Sequence, residues 1–573
     1  MATAKPWLRH YPEEVAPTGN YPEMNVASML LASARRYPKR PALYFMGKTM
    51  SYARTAQEAA QFAAVLRSLG VRKGDRVALM LPNCPQMVIA CFGALMAGAV
   101  VVMTNPLYME RELEHQLADS GAKAIVTLDL LHNRIAGVMR RTKLEYVIVT
   151  SLKDYLPFPK NFLYPIKMKK DGVSLGVSFN SEVLSWRRLM ATPSAVHELE
   201  PVDPHEDLAL LQYTGGTTGI SKGVMLTHAN LIANTIQNVT WAYKCVDGEE
   251  RFLAALPFFH VFGLSVVMLQ AVYRAAEMLL LPRFETKPVL ELIARKRPTL
   301  FPGAPTMYVA LLNYPDIGKY DLSSIRACIS GSAPLPREVQ LKFEDVTGGR
   351  LIEGYGLTEA SPVTHANNIW EKRKAGIGIP LPDTDARIVD PETGEELPAG
   401  EIGELAVSGP QVMKGYWNRP DETAKVLRDG WLHTGDMARM DEDGFFEIVD
   451  RKKDMIIASG YNIYPREIEE VLFEHPAVKE AAVAGVPDQY RGETVKAFVV
   501  VKDGASVTAA ELETFCRERL AAYKVPRKFE FRAALPKTLV GKVLRRQLLE
   551  EELLRGASAA GEAKGDSNKQ GDK

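Results

Sequence analysis

The sequence predicts an α/β protein that closes with a smaller α+β unit. Three observations carry that reading. Through about residue 200, short apolar runs of strand length alternate with segments of helical period, the pattern of layered α/β architecture. The run Leu208–Tyr213, LALLQY, leads straight into a glycine-rich loop. Past Asp450, about 100 residues read helix, strand, strand, helix, strand, enough for an independent domain.

In chain order, residues 51–70, SYARTAQEAAQFAAVLRSLG, have helical spacing and end on Gly70, a residue suited to a helix C-terminus. RVALML (76–81) and AIVTL (124–128) read as buried strands. Residues 151–190 hold three prolines, several aromatics and a lysine cluster, and are expected to leave the surface as an excursion that is neither helix nor strand. Residues 384–450 are expected to be β-rich, with DG and TG pairs marking turns. The C-terminal unit reads PREIEEVLFEH as helix, VKEAAVAGV and VKAFVVV as strands, AAELETFCRERLAAY as helix and KFEFRAALP as strand. The expected domains are 1–450 and 451–555, followed by a tail, 556–573, with no aromatic or large aliphatic residue and therefore disordered.

Composition narrows the function. The 573 residues carry 70 Lys+Arg against 69 Asp+Glu, which argues against a chain held globally to nucleic acid. Five widely spaced cysteines without a CxxC pair fit a reducing cytosol and offer no metal pattern. MATAKPWLRHYPEEV lacks the apolar core of a secretory signal. The most apolar runs, 77–103 and 252–281, are broken by polar residues and proline, so they read as core and not as membrane spans. A cytoplasmic protein is expected.

Four stretches carry chemistry. YTGGTTGISKG (213–223) places four glycines among hydroxyls and a lysine. Glycines let backbone N–H groups close on an anion; Thr214, Thr217, Thr218 and Ser221 add hydroxyls, and Lys222 adds charge. The Walker template GxxxxGK[ST] fails, because Gly223 follows Lys222. The same glycines would also serve a tight turn between a strand and a helix. In YGLTEASP (355–362), Tyr355 can stack on a base, Thr358 offers a hydroxyl and Glu359 a hard oxygen for Mg²⁺; a capped turn would use the same residues. In WLHTGDMARMDEDGFFEIVDRKKD (431–454), Asp436 could accept from paired sugar hydroxyls and Arg451 could donate to them; a β-turn at Gly435 with a solvated charge run is the plainer reading. In ALPKTLVGKVLRR (534–546), Lys542 follows Gly541 on a short flexible segment, able to neutralise an anionic transition state or to be one surface lysine among many.

These stretches, with DRKKDMIIASGYNI, occur in one order, and the combination resembles the adenylate-forming superfamily over residues 25–550. Within it, LPFFHVFGL, NPLYMERELEHQL and the LPFPKNFLYP insertion look like bacterial long-chain fatty-acid–CoA ligases. The resemblance implies a large N-terminal domain of αβ-layered subdomains plus a small β-barrel, and a small mobile C-terminal domain. It implies a fatty acid, ATP with Mg²⁺, and coenzyme A as co-substrate. Near relatives in activity are medium-chain or aryl acid–CoA ligases and ligases that load a carrier-protein thiol.

The implied roles follow position by position. Thr214, Gly215, Gly216, Thr217, Thr218, Gly219 and Lys222 would hold the departing phosphates. Gly331, Ser332 and Ala333 would line the adenine with Tyr355 and Gly356. Thr358 would contact the α-phosphate, and Glu359 would ligate Mg²⁺. Asp436 and Arg451 would hold the ribose, Lys542 would bridge the attacking carboxylate and the α-phosphate, and His260 would sit beside the acyl carboxyl. Lys453 would be the hinge, and Gly460 would line the thiol's path. Burying a sixteen-carbon tail at roughly 0.8 kcal/mol per CH₂ gives on the order of 10 kcal/mol, so an apolar tunnel is needed, and residues 257–272 are apolar enough to wall it. Phe158, Phe162 and Tyr164 beside Lys160, Lys167, Lys169 and Lys170 suggest weak peripheral contact of 151–170 with an anionic membrane. Similar ligases are commonly homodimers.

Overall fold

A computed structural model describes residues 5–172, 175–192, 199–214, 221–371, 373–458, 461–488, 492–538, 541–552 and 554–555. The chain divides into two compact units, one formed by Met1–Ala386, Val407–His433 and Asp443–Phe445, the other by Arg387–Ala406, Thr434–Glu442 and Phe446–Lys573.

The first unit is layered α/β. Its largest sheet runs Gly415–Tyr416, Lys222–Thr227, Leu208–Thr214, Val100–Met103, Arg76–Met80, Ala124–Leu128, Tyr146–Thr150, Val183–Ser185. The last six of these strands are parallel, and Lys222–Thr227 turns antiparallel at the edge. Ala124–Leu128 is buried at every position, as a parallel strand covered on both faces must be. The apolar run 77–103 resolves into strand, helix Pro85–Met96 and strand. That helix is buried throughout, and a side chain at Gly93 would strike the Ala59 carbonyl at 2.7 Å. Among the described residues no helix is long and apolar enough to cross a membrane.

Two four-stranded sheets complete this unit. One orders Arg251–Ala254, Glu277–Leu280, Pro41–Phe45, Lys48–Ser51; the other Ala327–Ser330, Arg350–Gly356, Val363–Ala366, Ile379–Pro380. Leu300 bridges them, pairing in parallel with Phe252 and with Ala327. The helix expected at 51–70 spans Tyr52–Ser68, capped by the Ser51 hydroxyl, which accepts from the Arg54 N–H.

One expectation fails here. Within 151–190, Lys160–Lys170 is a helix despite Pro165 at its centre. Proline removes one N–H and crowds one turn, but Tyr164, Pro165 and Met168 share a half-buried face and anchor the segment by packing.

In the second unit, Val478–Asp488 pairs antiparallel with Gly492–Val501, and Lys528–Phe531 adds in parallel. Alternation along these strands divides two cores. Ala481, Val483, Ala497 and Val499 pack with Ile468, Leu472, Leu512 and Cys516. Ala482, Ala484, Phe498 and Val500 pack with Leu535 and Leu548 on the other face. The helices Pro465–Phe473 and Ala509–Arg517 lie where the sequence placed them.

Candidate active site

The described part of the glycine loop is its stem. Thr214 ends one strand, Lys222 begins the next, and the two are antiparallel partners, so the loop joins two strands and not a strand to a helix. Gly215, Gly216, Thr217, Thr218 and Gly219 lie outside the described residues. The stem is tied at both ends to Asp119. The Tyr213 hydroxyl donates to its carboxylate at 2.6 Å, Arg419 donates to the other oxygen at 3.0 Å, and the Trp417 indole donates to its backbone carbonyl at 3.1 Å. Trp417 N–H also donates to the Gly223 carbonyl at 2.8 Å. His115 Nε2 lies 2.9 Å from the Ser221 carbonyl. Lys222 Nζ is 3.0 Å from Glu422 and 4.5 Å from the Tyr416 ring centroid. Lys425 and Lys222 hold the Glu422 carboxyl down to about 2.

Tyr416 passes the contact on, its hydroxyl donating to Glu359 Oε1 at 2.8 Å. Burial, then the Glu359 charge, raises the phenol well above its ordinary range, so it remains a donor. Glu359 lies in the turn Thr358–Ala360, which follows the strand Arg350–Gly356. Met413 N–H donates to the Glu359 carbonyl at 2.8 Å. Gly356 is obligatory there: a Cβ would fall 1.9 Å from the Pro362 carbonyl oxygen. Among the described residues no three His, Cys, Asp or Glu side chains gather as a metal cage. A single carboxylate beside a hydroxyl still fits Mg²⁺, which keeps most of its waters and takes one or two protein carboxylates plus substrate phosphate.

Gly331, Ser332 and Ala333 leave the carboxyl end of Ala327–Ser330, the parallel neighbour of Arg350–Gly356. Tyr355 therefore stands beside them, where open α/β sheets bind ligands. Its ring meets His365 edge-on at 6.0 Å. Burial pushes the His365 imidazole down to about 3, so it is neutral near pH 7. A Cβ on Gly331 would come 3.1 Å from the Phe262 ring, and Ser332 takes a positive φ of 70°.

Phe262 belongs to the PFFHVFG turn. Asn83 pins that turn from one side, donating to the Ala254 and Leu256 carbonyls at 2.9 and 2.7 Å and accepting from Phe258 N–H at 2.8 Å. Gln212, two residues before Thr214, donates to the Phe259 carbonyl at 3.0 Å. His260 is half-buried, and its Nδ1 lies 3.3 Å from Phe262 N–H. A π-helix, Gly263–Leu269, follows, and a Cβ at Gly263 would sit 2.2 Å from the Pro257 carbonyl. The Ser265 hydroxyl donates to the Ser361 carbonyl at 2.6 Å, bracing the π-helix against the Glu359 turn. The first unit thus gathers Thr214, Lys222, His260, Gly331–Ala333, Tyr355, Gly356, Thr358 and Glu359 through named contacts.

The second unit gathers Asp436, Arg451, Lys453 and Lys542. Asp436 is buried on Trp431–Met440, directly across from Arg451, whose Nε lies 2.9 Å from its carboxylate. Gly435 is not a β-turn; it lies inside that strand with φ 71°, donating to Glu404 at 3.0 Å. Lys452 reaches the same Glu404 at 3.1 Å. Lys453 occupies the turn after Phe446–Arg451. Lys542 sits in a tight reversal: Thr538 N–H donates to its carbonyl at 2.8 Å, Lys537 bridges Val543, and Gly541 takes φ 79°. Its neighbour Arg545 binds Glu469 at 2.8 Å and Asp454 at 3.1 Å. Burial first, then the positive charges of Arg451 and Lys453, press the Lys542 pKa down to about 8. Much of the residue is open to water, which screens the effect. Gly460 lies outside the described residues.

Sequence reasoning missed Asn83, Gln212, Asp119, Tyr416 and Ser265. A signal was present for the first two, each an amide inside an apolar run, where burial demands hydrogen-bond partners.

Residues 30–417 match the family described as AMP-binding enzyme, and residues 467–542 match the AMP-binding enzyme C-terminal domain. The chain is 54% identical over 554 residues, 96% of its length and 99% of the relative's, to a long-chain-fatty-acid–CoA ligase of Bacillus subtilis (strain 168). ATP-bound MatB from Rhodopseudomonas palustris matches with TM-score 0.81 and 32% identity, over 92% of this chain and 99% of that one. The anthranilate CoA ligase AuaEII in complex with anthranoyl-AMP matches with TM-score 0.83 and 29% identity, over 93% and 98%. The chain belongs to the AMP-binding enzyme family.

Proposed function

We propose that this AMP-binding enzyme is a long-chain fatty acid–CoA ligase. It joins a fatty acid to AMP with release of pyrophosphate, then passes the acyl group to coenzyme A. The observation that carries the reading is the 54% identity, over nearly the whole length of both chains, to a relative of that activity.

The chemistry explains the residues. A carboxylate is a poor electrophile, and bringing it to a polyphosphate opposes two anions. Catalysis therefore requires cations and donors where charge accumulates. Attack by a carboxylate oxygen on the α-phosphorus forms the C–O–P anhydride as the bond to pyrophosphate breaks. Lys222 and Thr214, with the loop they flank, take the departing phosphates. Asp119 supports this role, because it holds Tyr213 before the loop directly and Gly223 after it through Trp417. Tyr355 and Gly331–Ala333 hold the base, Asp436 and Arg451 the ribose, and Thr358 the α-phosphate. Glu359 would hold Mg²⁺, which when bound neutralises phosphate charge. His260 stands at the acyl carboxyl, on a turn that Asn83 and Gln212 keep rigid. Thiol attack on the acyl carbonyl then expels AMP. We assign Lys542 to the first step alone, with the functional domains divided at 450–453 and Lys453 as the pivot that withdraws it.

A second reading, an aryl acid–CoA ligase, draws support from the likeness to the anthranilate CoA ligase. The test is an acid panel from benzoate through octanoate to oleate, given with Mg-ATP and coenzyme A while pyrophosphate and AMP are followed. Turnover should peak with the long chains. A maximum with aromatic acids would replace the proposal with the second reading, and no pyrophosphate with any acid would overturn both.

A further inference from the structure

The helix Lys160–Lys170 turns its apolar side outward. Phe158 is 85% exposed, Phe162 71%, Ile166 58% and Leu163 51%. Single exposed apolar side chains are ordinary, but four large ones within a nine-residue stretch are not. Helical geometry accounts for the arrangement: Phe162, Leu163 and Ile166 fall within an arc of about 100°, and the half-buried Tyr164, Pro165 and Met168 occupy the opposite side. Burial raises the Tyr164 phenol to about 12, which marks that side as the anchored one. The helix is thus amphipathic in reverse, fixed by one face and offering the other.

The patch continues onto the turn after Pro41–Phe45. Lys160 Nζ donates to the Met46 carbonyl at 2.8 Å, and Met46 is itself exposed. The charge of the segment is mainly positive. Within residues 158–171, Lys160, Lys167, Lys169 and Lys170 stand against the single acid Asp171, the last three lysines cluster at one end of the stripe, and Asp129 faces Tyr164 on the anchored side.

We propose that this helix and the Met46 turn form a docking surface for an anionic lipid bilayer. The apolar stripe enters the boundary between headgroups and acyl chains, and the lysines meet the phosphates. The charge selects this occupant over a second copy of the chain, because two such surfaces would bring seven or more ammonium groups together across one apolar contact. Docking does not depend on the fatty-acid reading; where both hold, the enzyme sits at the surface into which its acid partitions.

The full chain is mixed with vesicles of phosphatidylcholine alone, or of phosphatidylcholine with phosphatidylglycerol, and sedimented. The wild type should pellet with the anionic vesicles and far less with the neutral ones. The variant Phe162→Asp/Ile166→Asp should lose binding to both. The variant Lys167→Gln/Lys169→Gln/Lys170→Gln should bind anionic vesicles about a hundredfold more weakly, roughly fivefold per lysine. All five positions are exposed, so the variants should keep the wild-type circular dichroism and melting temperature. Equal pelleting of wild type and variants, or none by any, would overturn the proposal. So would a dimer on a sizing column that Phe162→Asp/Ile166→Asp dissolves, since that assigns the stripe to a second copy.

Discussion

The two clusters of candidate residues are built by opposite means. In the first unit charged groups brace the glycine-loop stem and Glu359, but the turns at His260 and Ser361 are held by neutral hydrogen bonds inside apolar surroundings. Asn83 and Gln212 clasp backbone carbonyls, Ser265 braces Ser361, and His365 stays uncharged. In the second unit the frame is ionic. Asp436 pairs with Arg451, Glu404 with Lys452, and Arg545 with Glu469 and Asp454. Neutral bonds to backbone fix geometry whatever the charge state, while largely buried ion pairs hold only as long as both partners stay charged. Under the proposed roles, the first cluster would hold the nucleotide's base and phosphates, and Lys542 of the second would supply a charge for one step alone.

The comparison breaks most visibly at Lys542. Lys542→Ala should slow acyl-AMP formation by about 10²–10³, the loss expected for one stabilising group, yet leave thioester formation from supplied acyl-AMP within a few-fold. Pyrophosphate release and thioester absorbance separate the two rates, and equal loss in both would remove the assignment. The lowered pKa adds a sign: the ammonium loses its proton at a lower pH than an ordinary lysine near 10.5, so adenylation should fall early in the alkaline range. Lys542→Arg should push that fall to higher pH.

A smaller effect is expected from the first cluster. Glu359→Gln keeps the shape and the bond to Tyr416 but removes the negative charge, so the Mg²⁺ concentration for half-maximal rate should rise about 10–100-fold. An unchanged Mg²⁺ dependence would end the metal role.

The last test concerns stability and acid. His365 and His228 are buried, which lowers their pKa values from 6.5 to about 3 and about 4. The unfolded chain takes up protons first, so stability is full above pH 6.5 and falls as the pH drops toward those values, by about 1.4 kcal/mol per pH unit for each histidine. In the second unit Glu530, where hydrogen bonds from Lys496 and Arg555 outweigh burial, sits near 2 against 4.5 unfolded, so its contribution is lost lower down. Melting followed from pH 7 to pH 3 should show the first unit weakening before the second, and the reverse order would contradict the contrast.

Much of this was legible in the sequence because it rests on local pattern. Period and composition located the Tyr52–Ser68 helix, the strands Ala124–Leu128 and Leu208–Thr214, and the two helices and three strands expected in the C-terminal unit. The helix Lys160–Lys170 was hidden because its period lies in Tyr164 and Met168, beneath the stronger local signal of proline. The supports of the site were hidden for another reason. Asp119 meets Arg419 across 300 residues, and Gln212 meets Phe259 across 47, so neither partner is visible from the other's surroundings. The pairing of Glu359 with Tyr416 across 57 residues belongs to the same class.

The seven-residue π-helix Gly263–Leu269 has a bearing on how this chain would respond to a change of length. A π-turn is what an α-helix becomes when it absorbs an added residue without unwinding its ends. The segment is therefore a place where length can change by one while the His260 turn before it stays put. Removing a residue there would restore ordinary winding and swing everything downstream by about 100°, carrying Ser265 off Ser361 and the helical wall round to a different set of side chains. One residue's change in length would thus exchange the side chains on that wall and release the Ser361 brace, while the His260 turn before it stayed as it was.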